Sequence, residues 1–168
     1  MNKIKYKVID NFLPVLEFDV LQDSILNPKN DFNWYFMNHI SIAEELKDEF
    51  FFAHMIFSNS EIITANTTWS LMQVLFEKLK IKALIRAKIN CYTRTEKILE
   101  HSLHKDLPFK HKGCVFYLNT NDGYTLLEDG TKIKSIANRV LLFNPNDLHA
   151  STSTSDTNRR VTININWF

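Results

Sequence analysis

The sequence predicts a mainly β domain, a sandwich or barrel with helices packed on one outer face, and three observations carry that reading. From about residue 81 onward six strand-like runs follow one another closely: 83–92 (ALIRAKINCY), 112–118 (KGCVFYL), 123–127, 131–133, 138–143 and 159–167. Turn signals separate several of them, namely Asn121-Asp122-Gly123, Asp129-Gly130 and Asn144-Pro145-Asn146-Asp147. Helical periodicity is confined to the first 80 residues, where it supplies layers to cover a sheet.

In chain order, residues 5–9 read as a short strand, and Pro14 opens a helix whose stripe is Leu16, Phe18, Val20, Leu21 and Ile25, ending before Asn27-Pro28. Two aromatic runs, 32–37 (FNWYFM) and 50–57 (FFFAHMIF), read as strands, with a short helix or loop at 40–46 between them. Asn66-Thr67-Thr68 offer caps for a helix over 69–79 that presents Leu71, Val74, Leu75, Phe76 and Leu79 to a sheet. No repeat, low-complexity segment or Gly/Pro linker divides the chain, so all 168 residues are expected to form one domain: 1–80 as support and 81–168 as the core that carries the site.

Composition excludes several classes. A chain of this length can bury roughly two thirds of its unfolded surface, enough for one core. With 20 basic and 19 acidic residues the net charge is +1, so nothing in the balance predicts nucleic-acid binding or attraction to a membrane surface. No run approaches the ~20 apolar residues of a membrane span, and the N-terminus lacks the apolar core of a signal peptide. Cys91 and Cys114 lie in apolar runs without a CxxC, as expected of two reduced core thiols in a cytoplasmic protein. Only three glycines also argue against a phosphate-binding loop.

Chemistry concentrates in the C-terminal part. His104, Lys105 and Asp106 form a His-x-Asp triplet, and His149 follows an apolar run and a turn. Two imidazoles and one carboxylate are the ligand set of a facial triad, which leaves three positions open on octahedral Fe(II). The last strand alternates Arg160, Thr162, Asn164 and Asn166 with Val161, Ile163, Ile165 and Trp167, so one face is polar and the other apolar. If the apolar face packs on the second helix, the polar face lines the interior; a solvated outer face is the other reading, and coupling to the histidines favours the interior. Arg160 and Thr162 share a face and together can grip one carboxylate, with Arg159 the fallback if a bulge exchanges the two arginines.

Other histidines have their own readings. His101 and His111 flank the triplet and could complete a zinc site with His104, the arrangement of a hydrolase rather than of an iron enzyme. His54 lies among aromatics as a core or substrate-side residue, and His39 reads as a surface residue. The Ser/Thr run 151–155 reads as a solvated loop, with no Ser-His-Asp context.

The ordered set His104-x-Asp106, His149 and Arg160-x-Thr162 resembles the HxD…H…RxS/T signature of Fe(II)- and 2-oxoglutarate-dependent oxygenases, most closely the prolyl-4-hydroxylase-like branch. Supporting phrases are 114–119 (CVFYLN), 121–125 (NDGYT) and 141–145 (LLFNP); the likeness covers roughly 81–168. It implies a double-stranded β-helix, or jelly roll, with His104, Asp106 and His149 as Fe(II) ligands and Arg160 with Thr162 on the distal carboxylate of 2-oxoglutarate. It further implies that Tyr92 hydrogen-bonds this co-substrate, although no glycine lies in 93–103 where that branch commonly has one. Phe116, Leu118 or their neighbours are expected to wall the site. The implied activity is hydroxylation of a small-molecule or peptide substrate with release of succinate and carbon dioxide; the alternative is a jelly-roll binding module without turnover.

Overall fold

A computed structural model describes residues 5–39 and 50–168; the helix or loop expected at 40–46 lies outside the described residues. The elements run β1 (Tyr6–Ile9), α1 (Val15–Leu26), β2 (Tyr35–Met37), β3 (Phe51–Ser58), β4 (Glu61–Ile62), α2 (Asn66–Lys78), β5 (Leu84–Thr93), β6 (Lys112–Tyr117), β7 (Tyr124–Leu127), β8 (Lys132–Lys134), β9 (Arg139–Phe143), β10 (His149–Ala150) and β11 (Arg159–Trp167). All six strands expected after residue 81 are present. β4 and β10, two residues each, are too short to show a period and were not anticipated.

The strands form two antiparallel sheets. The large one has the order β1-β9-β6-β11-β5-β3-β2, with β4 paired to β3; the small one has the order β10-β7-β8. The result is a jelly-roll sandwich rather than a closed barrel. Val115 and Tyr117 of β6 and Leu141 and Phe143 of β9 pack with Leu127 and Ile133 of the small sheet, which fixes the sheets against each other at one end.

Both helices cover the opposite face of the large sheet. α1 follows Pro14, whose ring presets φ, and stops at Asn27 because Pro28 disfavours a helical conformation in the residue before it. Its buried stripe is Phe18, Leu21 and Ile25 at i, i+3 and i+7; Leu16 and Val20, placed on that stripe by the sequence, are 80% and 57% exposed and lie off it. α2 begins earlier than expected, so Asn66, Thr67 and Thr68 occupy its first turn and Ala65 is the cap, with no side-chain cap bond. Met72, Leu75 and Phe76 are its buried side chains, each stabilising by about 1.5–3 kcal/mol in transfer terms. They join Val161, Ile163, Ile165 and Trp167 of β11 in one cluster, as the alternation of β11 requires.

Two further differences concern the aromatic segments. Only Tyr35–Met37 of the 32–37 run pairs with β3; Phe32 and Trp34 instead pack ring on ring at 5.0 Å. Phe116 and Leu118 join the core beneath the helices, not the wall of the interior. The register explains this: Tyr117 and Val115 stand opposite Thr162 and Asn164, so they share the polar face of β11 while Phe116 shares the other. Among the described residues no helix is long and apolar enough to cross a membrane.

Candidate metal centre

β10 exists to hold His149 beside His104. The His104 N–H donates to the His149 carbonyl at 2.9 Å and the His149 N–H returns a bond of 3.0 Å, while the Asp106 N–H donates to Pro145 O at 3.0 Å. The turn before His149 and the segment 104–106 therefore run side by side. Ligand atoms of His104, Asp106 and His149 all lie within 4.8 Å of one another.

Hydrogen bonding sets the tautomers. Nδ1 of His149 lies 3.0 Å from Asp147 O and Nδ1 of His104 lies 3.1 Å from Ser102 O; a carbonyl only accepts, so in each neutral ring Nδ1 carries the proton. Nε2 is then an unprotonated lone pair, the form that binds a metal. His149 Nε2 is buried and has no hydrogen-bond partner, with Asp106 Oδ1 3.9 Å away. An orphaned buried acceptor is costly unless something fills its lone pair, and this donor set suits a divalent ion. Burial, and next the neighbouring His149, hold the His104 imidazole down to about 4, so it is neutral at ordinary pH.

Asp106 is oriented by Asn166, from the polar face of β11, and by Arg86, which the sequence did not single out. Asn166 donates to its Oδ2 at 2.8 Å, and the Arg86 guanidinium lies 2.9 Å from Oδ1. Arg86 Nε also donates to Asn166 Oδ1 at 3.1 Å, while the Asn166 amide contacts His111 Nε2 at 3.1 Å. Burial pushes the Asp106 carboxyl up, but His149, Arg86, Asn166 and His104 outweigh it and hold it below the usual carboxylate range. Gly113 makes room for this network, since a β-carbon there would sit 2.8 Å from Pro145 Cγ and 3.2 Å from Asn166 Nδ2.

The polar face of β11 is buried, not solvated: Arg160 and Thr162 are each 1% exposed and line a cleft between the sheets together with Tyr92, His104, Val115, Thr125, His149 and neighbouring residues. The cleft holds about 380 Å³ of space outside protein atoms, part of it open to solvent. Arg160 donates to Ser135 Oγ at 2.7 Å, Thr125 Oγ1 at 3.2 Å and Thr152 O at 3.4 Å, and its guanidinium lies 5.3 Å from the Tyr92 ring and 5.7 Å from the Tyr117 ring. All of these partners are neutral, and among the described residues no carboxylate pairs with it. A fully buried guanidinium without a counter-charge fits an anionic ligand. Arg159 points the other way, to the carbonyl of Leu26 at the end of α1.

Several expectations change here. His111 is tied to Asn166 and to Phe109 O, and His101 to Ser151 Oγ, so among the described residues neither joins His104 in a metal-binding group and the zinc arrangement does not form. The run 151–155 is not a solvated loop: Thr152 and Thr154 are fully buried, and its hydroxyls bond the Tyr124 and Leu99 amides and Asp122. His54 is a core residue bonded to Asn33 O and Thr64 Oγ1, His39 is exposed, and Cys91 and Cys114 are buried free thiols. The residues missed, Arg86, Lys88 and Asn90, lie on β5 in phase with Tyr92 opposite Asn166, Asn164 and Thr162. The alternation R-x-K-x-N-x-Y in 86–92 was the signal that could have found them.

Comparison with solved structures places this geometry. A prolyl hydroxylase from Trichoplax adhaerens, in complex with a hypoxia inducible factor oxygen degradation domain peptide, superposes with a TM-score of 0.67 at 17% identity over 99% of this chain and 84% of its own. The viral collagen prolyl hydroxylase of Paramecium Bursaria Chlorella virus-1, in its 2OG complex, gives 0.59 at 15% identity over 99% and 95%. The alpha ketoglutarate dependent epimerase SnoN from nogalamycin biosynthesis gives 0.67 at 11% over 98% and 78%. The chain has the 2OG-Fe(II) oxygenase fold. No protein-family model and no curated protein matches the sequence. Within this oxygenase fold His104, His149 and Arg160 line one cleft between the sheets, and Asp106 stands beside the two histidines.

Proposed function

We propose that the chain is an Fe(II)- and 2-oxoglutarate-dependent dioxygenase that hydroxylates a small-molecule or peptide substrate and releases succinate and carbon dioxide. One observation carries this reading: two imidazoles, each with Nδ1 turned to a backbone carbonyl, and a carboxylate bring ligand atoms within 4.8 Å of one another beside the cleft that also holds a buried, uncompensated guanidinium. The metal and the dicarboxylate thus have separate receivers in one space. The fold by itself supports less, because its neighbours include both hydroxylases and an epimerase.

In this reading His104, Asp106 and His149 hold Fe(II). The metal, when bound, supplies the oxygen-activating chemistry, with three positions left for co-substrate and oxygen. Arg160 forks onto the distal carboxylate of 2-oxoglutarate while Thr162 adds a hydroxyl donor. Tyr92, buried between Phe51 at 5.6 Å and the Arg160 guanidinium, donates its phenol to the co-substrate, and burial keeps that phenol protonated. Asn166 and Arg86 keep the Asp106 carboxylate aimed, and Val115 and Phe51 limit water in the cleft.

The test is turnover. Purified protein supplied with Fe(II), ascorbate, oxygen and 2-oxoglutarate is expected to form succinate, slowly alone and faster with a true substrate, and His149→Ala is expected to form none. Tight binding of metal and 2-oxoglutarate with no succinate across a panel of peptides and small molecules favours the binding module instead.

A further inference from the structure

Lys88 carries a charge that the proposed chemistry does not use. It sits on β5 opposite Asn164 and Met55, on the cleft-facing side shared with Arg86, Asn90 and Tyr92. Its Nζ reaches toward β3 and lies 5.4 Å from the centroid of the Phe51 ring. Among the described residues it makes no ion pair. Two cations, Lys88 and Arg160, therefore line a cleft with no carboxylate among its lining residues, and the neighbouring Asp106 is already paired with Arg86.

The two carboxylates of 2-oxoglutarate are provided for, one by Arg160 and Thr162 and the other by the metal. Lys88 remains over. A methionine would fill the same volume without a desolvation cost, and burial indeed draws the ammonium down to about 8, with Arg86 adding repulsion and Asp106 opposing it. A residue that costs stability inside a site is kept for what it binds. We infer that Lys88 is the receiver for a carboxylate of the prime substrate, and that this substrate is a small organic acid bound between the metal centre and Phe51. The inference rests on the oxygenase reading and narrows its substrate class. Phe51, stacked on Tyr92, supplies the apolar wall for the carbon skeleton of such an acid.

The experiment uses the full chain, anaerobic and loaded with Fe(II) and 2-oxoglutarate, titrated calorimetrically with matched pairs: hexanoate and hexanamide, 3-phenylpropionate and 3-phenylpropionamide, N-acetylglycine and its amide. At least one acid is expected to bind about tenfold or more tighter than its amide, the size of a charge-assisted bond. Lys88→Met is expected to erase that preference and Lys88→Arg to keep it, with 2-oxoglutarate affinity unchanged within about twofold in both. A ligand-free readout accompanies it: Lys88→Met apoprotein is expected to melt a few degrees higher at pH 7. No acid preferred over its amide overturns the inference, and so does a tenfold loss of 2-oxoglutarate affinity in Lys88→Met, which would give the ammonium to the co-substrate. A lower melting temperature also overturns it, because the ammonium would then have a structural partner. If the 2-oxoglutarate complex fails to form in the unaltered chain, the oxygenase reading falls and takes this one with it; if it forms without acid preference, only the substrate class falls.

Discussion

Gly123 lies against Arg160: a β-carbon at residue 123 would stand 2.6 Å from Arg160 Cδ and 2.5 Å from the Ser153 carbonyl oxygen. The backbone contact cannot give way cheaply, so the arginine must. Gly123→Ala is expected to cost about 1–3 kcal/mol in overpacking and to weaken 2-oxoglutarate binding about tenfold by shifting the guanidinium. Metal affinity should stay close to that of the parent chain, since His104, Asp106 and His149 are positioned by other segments. Calorimetry with each ligand separately checks this.

Asn166 ties Asp106 in place, donating to it, accepting from Arg86 and contacting His111. Asn166→Leu leaves those buried groups without their partner and is expected to cost about 1–3 kcal/mol in urea unfolding. It should also lower Fe(II) or Mn(II) affinity about 10–100-fold, the usual penalty for losing a group behind a ligand. Unchanged metal affinity would mean that Arg86 alone aims the carboxylate.

The adjacent arginines separate cleanly. Arg160→Ala is expected to weaken 2-oxoglutarate about 100-fold or more, as removal of one side of a buried charge pair does. Arg159→Ala loses its bond to Leu26 O, costs about 1 kcal/mol of stability and leaves 2-oxoglutarate affinity within about twofold. Equal effects of both substitutions on affinity would contradict the assignment.

How far the sequence reached depends on the length of each element. β11 is nine residues long with a different environment on each face, so its alternation puts Arg160 and Thr162 on one face and Val161, Ile163 and Ile165 on the other, and only coupling to the histidines turns the polar face inward. β6 is as regular, yet its parity relative to β11 is a property of pairing that a single strand does not encode, so the sequence does not separate Phe116 and Leu118 from their neighbours Val115 and Tyr117, which share the polar face of β11. His149 was legible only through its order after His104 and Asp106, because a two-residue strand has no period. The Ser/Thr run 151–155 misled because its hydroxyls look solvated by composition; here they take the place of water for buried amides and for Asp122. Leu16 and Val20 show the same limit on a helix, where apolar residues just beside the stripe remain exposed.

Stability of the metal-free protein should fall with acid before any carboxylate titrates. Burial holds His101 and His104 to about 4, against about 6.5 in an unfolded chain. The unfolded chain therefore takes up these protons first, so the stability from both neutral rings is fully present above pH 6.5 and is lost as pH drops through 4. Urea midpoints at pH 7.5, 5.5 and 4.5 are expected to descend, and His101→Phe should flatten part of the slope. Equal midpoints across that window would show that the rings are not buried neutral.

The convergence of three ligands and one guanidinium on a single cleft is tested most directly by anaerobic titration of Fe(II) and then 2-oxoglutarate, followed in the visible spectrum. A weak charge-transfer band is expected to appear only when both are present, to vanish in His104→Ala, and to require more 2-oxoglutarate in Arg160→Ala. A featureless spectrum from the unaltered protein, or purified protein that retains zinc and binds no iron, would contradict it.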